Sequence, residues 1–455
     1  MAAEERISAW IAHLGAPAFR RIYRFDRALR AKLTGAGWLL AALLVASMVF
    51  GLNTRESLLY QLFALAVGLF VVAAVAAWRL PLRVRVARHL PRVATAGEPF
   101  DYCVTVTNQG AALRPLLVED LLELPRVDRA AFARYKVAAD RGRNIFDRLV
   151  GYPRWVAFMR QRIGARVDTG KLAGLAPDGE AQVRLRCRPE RRGVLRFQRL
   201  RFSHEEPLGL MKALAVRPCA ETLVVLPRTF AMAPVDLPGA RRLQPGGVPF
   251  ASHVGDAEEF MSLRDYRDGD GPRRIHWKAW ARTGRMVVKE YQDEFFVRHA
   301  LLLDTFGARN TECFEAAVSL AASVVLQPRA SDALLDLMFV EGRAYTFTQG
   351  RGLGAPAELL RVLATVSDGK DAGFEALAES VLLATGRLSG VLCVLLHWDE
   401  RRRHLVMRLQ QRGLPLRVWV VHDGDALPDP GPMLGDTRNF RVVHPRRLAQ
   451  QLRQP

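Results

Sequence analysis

The chain has 455 residues, too many for one hydrophobic core, so about three structural units are expected. Its formal charge is +20, but only seven of the 66 basic residues are lysine. An arginine excess beside abundant alanine and leucine is what coding bias produces, so basicity alone does not establish a nucleic-acid protein. The five cysteines (Cys103, Cys187, Cys219, Cys313, Cys393) lie far apart with no CxxC pair. That excludes a zinc-type cluster and reads as small buried hydrophobes in a reducing compartment.

Residues 1–34 form a basic segment, with Arg20, Arg21, Arg24, Arg27, Arg30 and Lys32 near its end. Two charge-free runs follow, Gly35–Leu52 of 18 residues and Leu58–Trp78 of 21. At about 1.5 Å per residue each reaches across a hydrocarbon layer of ~30 Å, so residues 35–78 are expected to form a two-helix transmembrane hairpin in a lipid bilayer. Arg79, Arg83, Arg85 and Arg88 flank the second run, and the loop Asn53–Ser57 carries one arginine and one glutamate. The positive-inside rule then places both termini and the soluble part in the cytoplasm, in a multi-pass protein.

The period changes to two after the hairpin. Phe100, Tyr102, Val104 and Val106 alternate with polar neighbours, as do Val183, Leu185 and Cys187. Arg192-Gly193 turns the chain into Val194–Phe202. An antiparallel β-sandwich is expected over 79–228, with a basic insertion near 125–170 read as a solvated excursion or as an amphipathic element. Residues 229–290 are read as a linker followed by a dense segment, Glu258–Glu290. This segment holds six arginines, two lysines and six acidic residues around Tyr266, Trp277 and Trp280. Interleaved charges and large aromatics point to an ordered, ion-paired contact surface. Within it, Asp270 or Gly271 is expected to cap a helix starting at Pro272 and ending at Thr283-Gly284, and His276 is read as a packing or surface residue. Residues 291–455 alternate strands and helices, which predicts a mainly parallel sheet covered on both faces.

Ligands in such sheets bind outside the carboxyl ends of the strands. Those ends carry Asp304, Asp399 and Asp423, carboxylates able to hold Mg²⁺ or to act as caps. No phosphate-binding loop, HExxH or GxSxG occurs.

Residues Glu259, Phe260, Leu263, Arg264, Tyr266, Gly269, Asp270, Arg273, Ile275, Trp277, Ala281 and Arg282 resemble, at fixed spacing, the signature of the bacterial domain-of-unknown-function-58 family. Glu205–Leu210 (EEPLGL) is similar to that family's D-P-x-G-L element, with Glu206 where aspartate is common. The resemblance implies a membrane hairpin, a β-rich region and a von Willebrand factor A-like (Rossmann-like) α/β domain. In metal-binding domains of that type the first strand ends D-x-S-x-S; here Phe306 and Ala308 replace both serines, leaving Asp304 and Asp399 as the metal candidates. Trp280 stands where the family tends to have a small residue.

The resemblance further implies a non-catalytic scaffold at the bacterial inner membrane, working with a MoxR-type AAA+ ATPase in the assembly or activation of other proteins. Its interaction residues would be Glu259, Arg264, Asp265, Tyr266, Gly269, Asp270, Arg273, Ile275, Trp277, Lys278 and Arg282, acting as docking site or interdomain clasp. The alternatives are a metal-dependent hydrolase using Asp304, Asp399 and Asp423, or a nucleic-acid binder. The motif's balanced charges weigh against the latter.

Overall fold

The computed structural model describes residues 18–50, 57–78, 82–125, 132, 135, 152–233, 235, 259–267, 270–272, 275–292, 297–308, 310–327, 334–341, 343–350, 355–369, 373–424 and 427–453. The chain divides into two compact units, Met1–Leu226 and Pro227–Pro455.

The first unit begins with helix α1 (18–32). Helices α2 (Gly35–Phe50) and α3 (Ser57–Ala76) follow and pack on each other. The apolar runs are therefore helical, but the expected transmembrane hairpin is corrected. Among the described residues no helix is long and apolar enough to cross a membrane. The multi-pass inner-membrane placement and the bilayer partner for residues 35–78 fall with it. The expected loop residues 53–56 and Arg79 lie outside the described residues.

Nine strands follow among the described residues of this unit: β1 (Val84–His89), β2 (Val93–Thr95), β3 (Phe100–Asn108), β4 (Leu116–Leu122), β5 (Ala165–Val167), β6 (Gly170–Leu172), β7 (Glu180–Pro189), β8 (Gly193–Glu205) and β9 (Lys212–Leu226). They form two sheets, ordered β1-β3-β7-β5 and β2-β9-β8-β4-β6. All pairs are antiparallel except β2–β9. The two-residue period does the work: Tyr102, Val104 and Val106 of β3, and Val183, Leu185 and Cys187 of β7, point inward. They meet Val118, Leu200, Phe202 and Val225 of the other sheet in one apolar core. Of the insertion, helix α4 (Tyr152–Ile163) is described; it buries Trp155, Phe158 and Met159 against Phe19 and Phe132.

Arg88 needs a second correction. Read as a membrane-flanking charge, it lies in β1 with its side chain fully buried, bound through Nε and Nη2 to both Asp120 oxygens at 2.8 Å. Tyr102 donates to the same carboxylate at 2.7 Å.

The β8–β9 turn holds the start of α2. Buried Glu206 accepts from the amides of Leu208 (2.5 Å), Leu210 (2.7 Å) and Met211 (3.2 Å), which fixes the EEPLGL turn. Thr34 docks there, donating its hydroxyl to the Gly209 carbonyl at 2.5 Å while accepting from the Gly37 amide at 3.0 Å as an N-cap. A Cβ at Gly37 would lie 2.1 Å from the Leu210 carbonyl oxygen, so only glycine allows this approach.

In the second unit, β10 (Glu259–Asp265), helix α5 (Trp277–Thr283) and β11 (Val287–Gln292) make a two-stranded antiparallel unit. A six-stranded sheet follows, built from β12 (Arg298–Leu303), β13 (Leu334–Glu341), β14 (Arg343–Gln349), β15 (Gly390–Leu395), β16 (Leu416–Val421) and β17 (Phe440–Val443). Its order is β14-β13-β12-β15-β16-β17, parallel except for the antiparallel edge strand β14. Helices α6 (Thr311–Val325), α7 (Pro356–Thr365), α8 (Phe374–Ala384) and α9 (Glu400–Gln411) alternate with the strands, as the sequence pattern predicts. Strands buried on both faces, such as the wholly buried β15, explain the continuous apolar runs.

Candidate functional site

The connections out of β12 and β15 run to opposite sides of the sheet, which makes their carboxyl ends the natural crevice. Asp304 and Asp399 do meet there, but around a guanidinium. Arg402 donates from Nε to Asp304 Oδ2 at 3.0 Å, from Nη2 to the Phe306 carbonyl at 3.0 Å and from Nη1 to Asp399 Oδ2 at 2.6 Å. Asp304 is fully buried and also accepts from the amides of Phe306 (3.0 Å) and Leu396 (3.1 Å). Asp399 caps α9, accepting from the Arg402 amide at 3.0 Å. The plane of Arg402 lies over Phe374, 4.4 Å from the ring centroid. Burial pushes the Asp304 carboxyl up from its ordinary range, and Arg402 and the two amides pull the other way.

The oxygens a metal would need are thus engaged. Thr305 donates its hydroxyl to the Val340 carbonyl at 2.7 Å, and the buried Phe306 ring packs so closely on Gly369 and Gly373 that a Cβ on either would collide with it. Asp423 is directed elsewhere and accepts from Asn310 at 2.7 Å. Among the described residues no group of three His, Cys, Asp or Glu side chains could hold a metal ion. Arg402 is the residue that sequence reasoning missed. Its signal was present, since Arg402, Leu405, Val406 and Leu409 share the buried stripe of α9 at helical spacing.

The signature segment is built differently. Arg264 clamps Asp270 through both nitrogens, at 2.7 and 2.6 Å, and Asp270 also accepts from the Arg267 amide at 2.9 Å. These bonds, the Arg264 bond first, pull the Asp270 carboxyl down to about 2. Ile275 bridges to Val288, and both are buried, giving the hairpin a small apolar centre. The expected helix start at Pro272 is corrected: His276 is the N-cap, its Nδ1 accepting from the Ala279 amide at 2.9 Å, and α5 begins at Trp277. The stop at Thr283-Gly284 is as expected, with Gly284 left-handed at φ 69° and its amide bonded to the Trp280 carbonyl at 2.9 Å. Trp277 and Trp280 stand side by side on this helix, ring centroids 5.4 Å apart, 56% and 36% exposed. Lys278, Arg282 and Asp265 are also exposed, and Tyr266 is half-buried. Gly269 and Arg273 lie outside the described residues, as does the side chain of Glu259.

The second unit is therefore an α/β domain with internally neutralised strand-end carboxylates and an exposed aromatic hairpin. Residues 262–431 match the family described as "Protein of unknown function DUF58". A Bacillus subtilis (strain 168) protein, "Uncharacterized protein YeaD", is 29% identical over 138 residues, 30% of this chain and 33% of that protein. The chain thus spans about a third of the length of that curated relative. Among solved structures, proximal thread matrix protein 1 from the mussel byssus overlaps 34% of this chain and 44% of its own, at 12% identity and a TM-score of 0.28. A PapD-like domain of human CEP192 overlaps 32% of this chain and 89% of its own, at 13% identity and a TM-score of 0.17. Scores this low carry no argument about fold or function.

Proposed function

We propose that this chain is a non-catalytic protein-binding scaffold whose docking element is the β10–α5–β11 hairpin, and that its partner is a MoxR-type AAA+ ATPase. The observation that carries the reading is the exposed Trp277–Trp280 pair. Paired tryptophans on a surface cost solvation free energy that a partner's pocket recovers, and tryptophan and arginine dominate interface hot spots. The helix that presents them is fixed at both ends, by His276 and Gly284, so little conformational entropy remains to be lost on docking. Arg264 and Asp270 spend their charge on each other, while Lys278 and Arg282 on the tryptophan helix, and Arg267 and Arg285 flanking it, are exposed. The type of partner rests on the family resemblance alone.

The hydrolase alternative finds no support at the strand ends, where Arg402 ties up Asp304 and Asp399. The test is capture of a purified MoxR-type ATPase from the same genome by the full chain. The double variant Trp277→Ala/Trp280→Ala should bind at least about tenfold more weakly, and Arg282→Glu should weaken binding and its salt dependence. Capture unchanged in both folded variants would sink the assignment.

A further inference from the structure

We propose that the cleft between α1, α4 and the sandwich of the first unit binds a phosphate-bearing small molecule. The cleft encloses about 560 Å³, within the usual range of ~300–1,000 Å³ for small-ligand sites. Six basic residues line it against three acidic ones. Each acid already has its own cation: Asp26 is bound by Arg30 at 2.9 Å, Glu119 by Arg201, and Asp120 by the buried Arg88 at 2.8 Å. Two further lining cations reach outside for partners, Arg166 to Glu190 at 2.7 Å and Lys212 to Glu205 at 4.0 Å.

That leaves Arg27, half-buried, and Arg160, exposed, with no counter-ion among the described residues. Tyr152 lines the same cleft beside Asp26. Two guanidiniums without a counter-ion among the described residues call for a ligand with close to two negative charges and several acceptor oxygens. A carboxylate would neutralise only one cation. A phosphate ester carries nearly two charges and accepts forked donors from arginine. The phosphate can belong to a soluble monoester or to a monoester headgroup such as that of phosphatidic acid, and the chemistry of recognition is the same.

Isothermal titration of the full chain decides the matter, with pyrophosphate as one probe and monomeric dihexanoyl phosphatidic acid as the other. Saturable binding of at least one probe is expected, falling at least about tenfold in Arg27→Ala/Arg160→Ala. The lysine pair Arg27→Lys/Arg160→Lys keeps the charge but not the fork and should bind at an intermediate level. Preference for pyrophosphate assigns the site to soluble esters, and preference for the lipid analogue assigns it to headgroups. No saturable binding of either probe by the parent chain overturns the proposal without recourse to any variant. Equal affinity in the parent and a folded alanine pair overturns it as well.

Discussion

Replacing Arg402 with methionine gives the sharpest test of how the second unit is held together. Methionine preserves much of the packing over Phe374 but removes the guanidinium that bridges Asp304 and Asp399. Asp304 has no exposed surface, so its charge cannot turn to water. Two routes give the size of the effect. Breaking a buried ion pair by deleting one partner costs about 3–5 kcal/mol. Alternatively the carboxyl takes up a proton, and protonating an ordinary aspartate at pH 7 costs about 4 kcal/mol. The expected loss is therefore about 4 kcal/mol, measured by urea unfolding with the ¹⁹F signal of 5-fluorotryptophan at Trp419 reporting on this unit. The double variant Asp304→Asn/Arg402→Met removes the stranded charge and should recover about half of that loss.

The single variant should also show a stronger pH dependence than the parent, because Arg402 no longer opposes the rise that burial imposes on Asp304. With the guanidinium gone, the folded pKa of Asp304 lies above the unfolded value of about 3.9, so the folded state binds the extra proton. Stability then rises as pH falls between those two values, by up to about 1.4 kcal/mol per unit, and the double variant lacks this slope. A single variant within about 1 kcal/mol of the parent, or a double variant no more stable than the single, would refute the reasoning.

Three further outcomes follow from the geometry. Asp270 should titrate near 2 by carboxyl ¹³C NMR and return towards about 3.9 in Arg264→Met; because its folded pKa is depressed, its contribution to stability is complete above about pH 4 and is lost as pH falls through 2. Glu206→Ala orphans the amides of Leu208, Leu210 and Met211, which should cost about 1–3 kcal/mol and speed their hydrogen exchange, whereas Glu206→Gln should be milder because its oxygen still accepts. Thiol labelling of the native chain should reach the half-buried Cys103 and Cys219 and spare Cys187, Cys313 and Cys393 until unfolding; burial pushes the Cys187 and Cys393 thiols up to about 12.

Local periodicity carried most of the fold. Alternation in β3 and β7 and the helix stop at Gly284 follow from side-chain spacing and backbone sterics, which act within a few residues. Charge was where reading the sequence failed. Arg88 resembled a membrane-flanking residue and Arg402 was not singled out, yet each lies buried against an aspartate, 32 and 98 residues away.

The sequence by itself determined the order of strands and helices, the two-residue and 3.6-residue faces that build each core, and the DUF58 spacing from Leu263 to Arg282. Each of these depends on interactions between near neighbours along the chain. Only the tertiary structure decided which charges are spent internally and which remain available. Pairing depends on which distant strands meet, and so it separated the clamped Arg88 and Arg402 from Arg27 and Arg160, which have no counter-ion among the described residues.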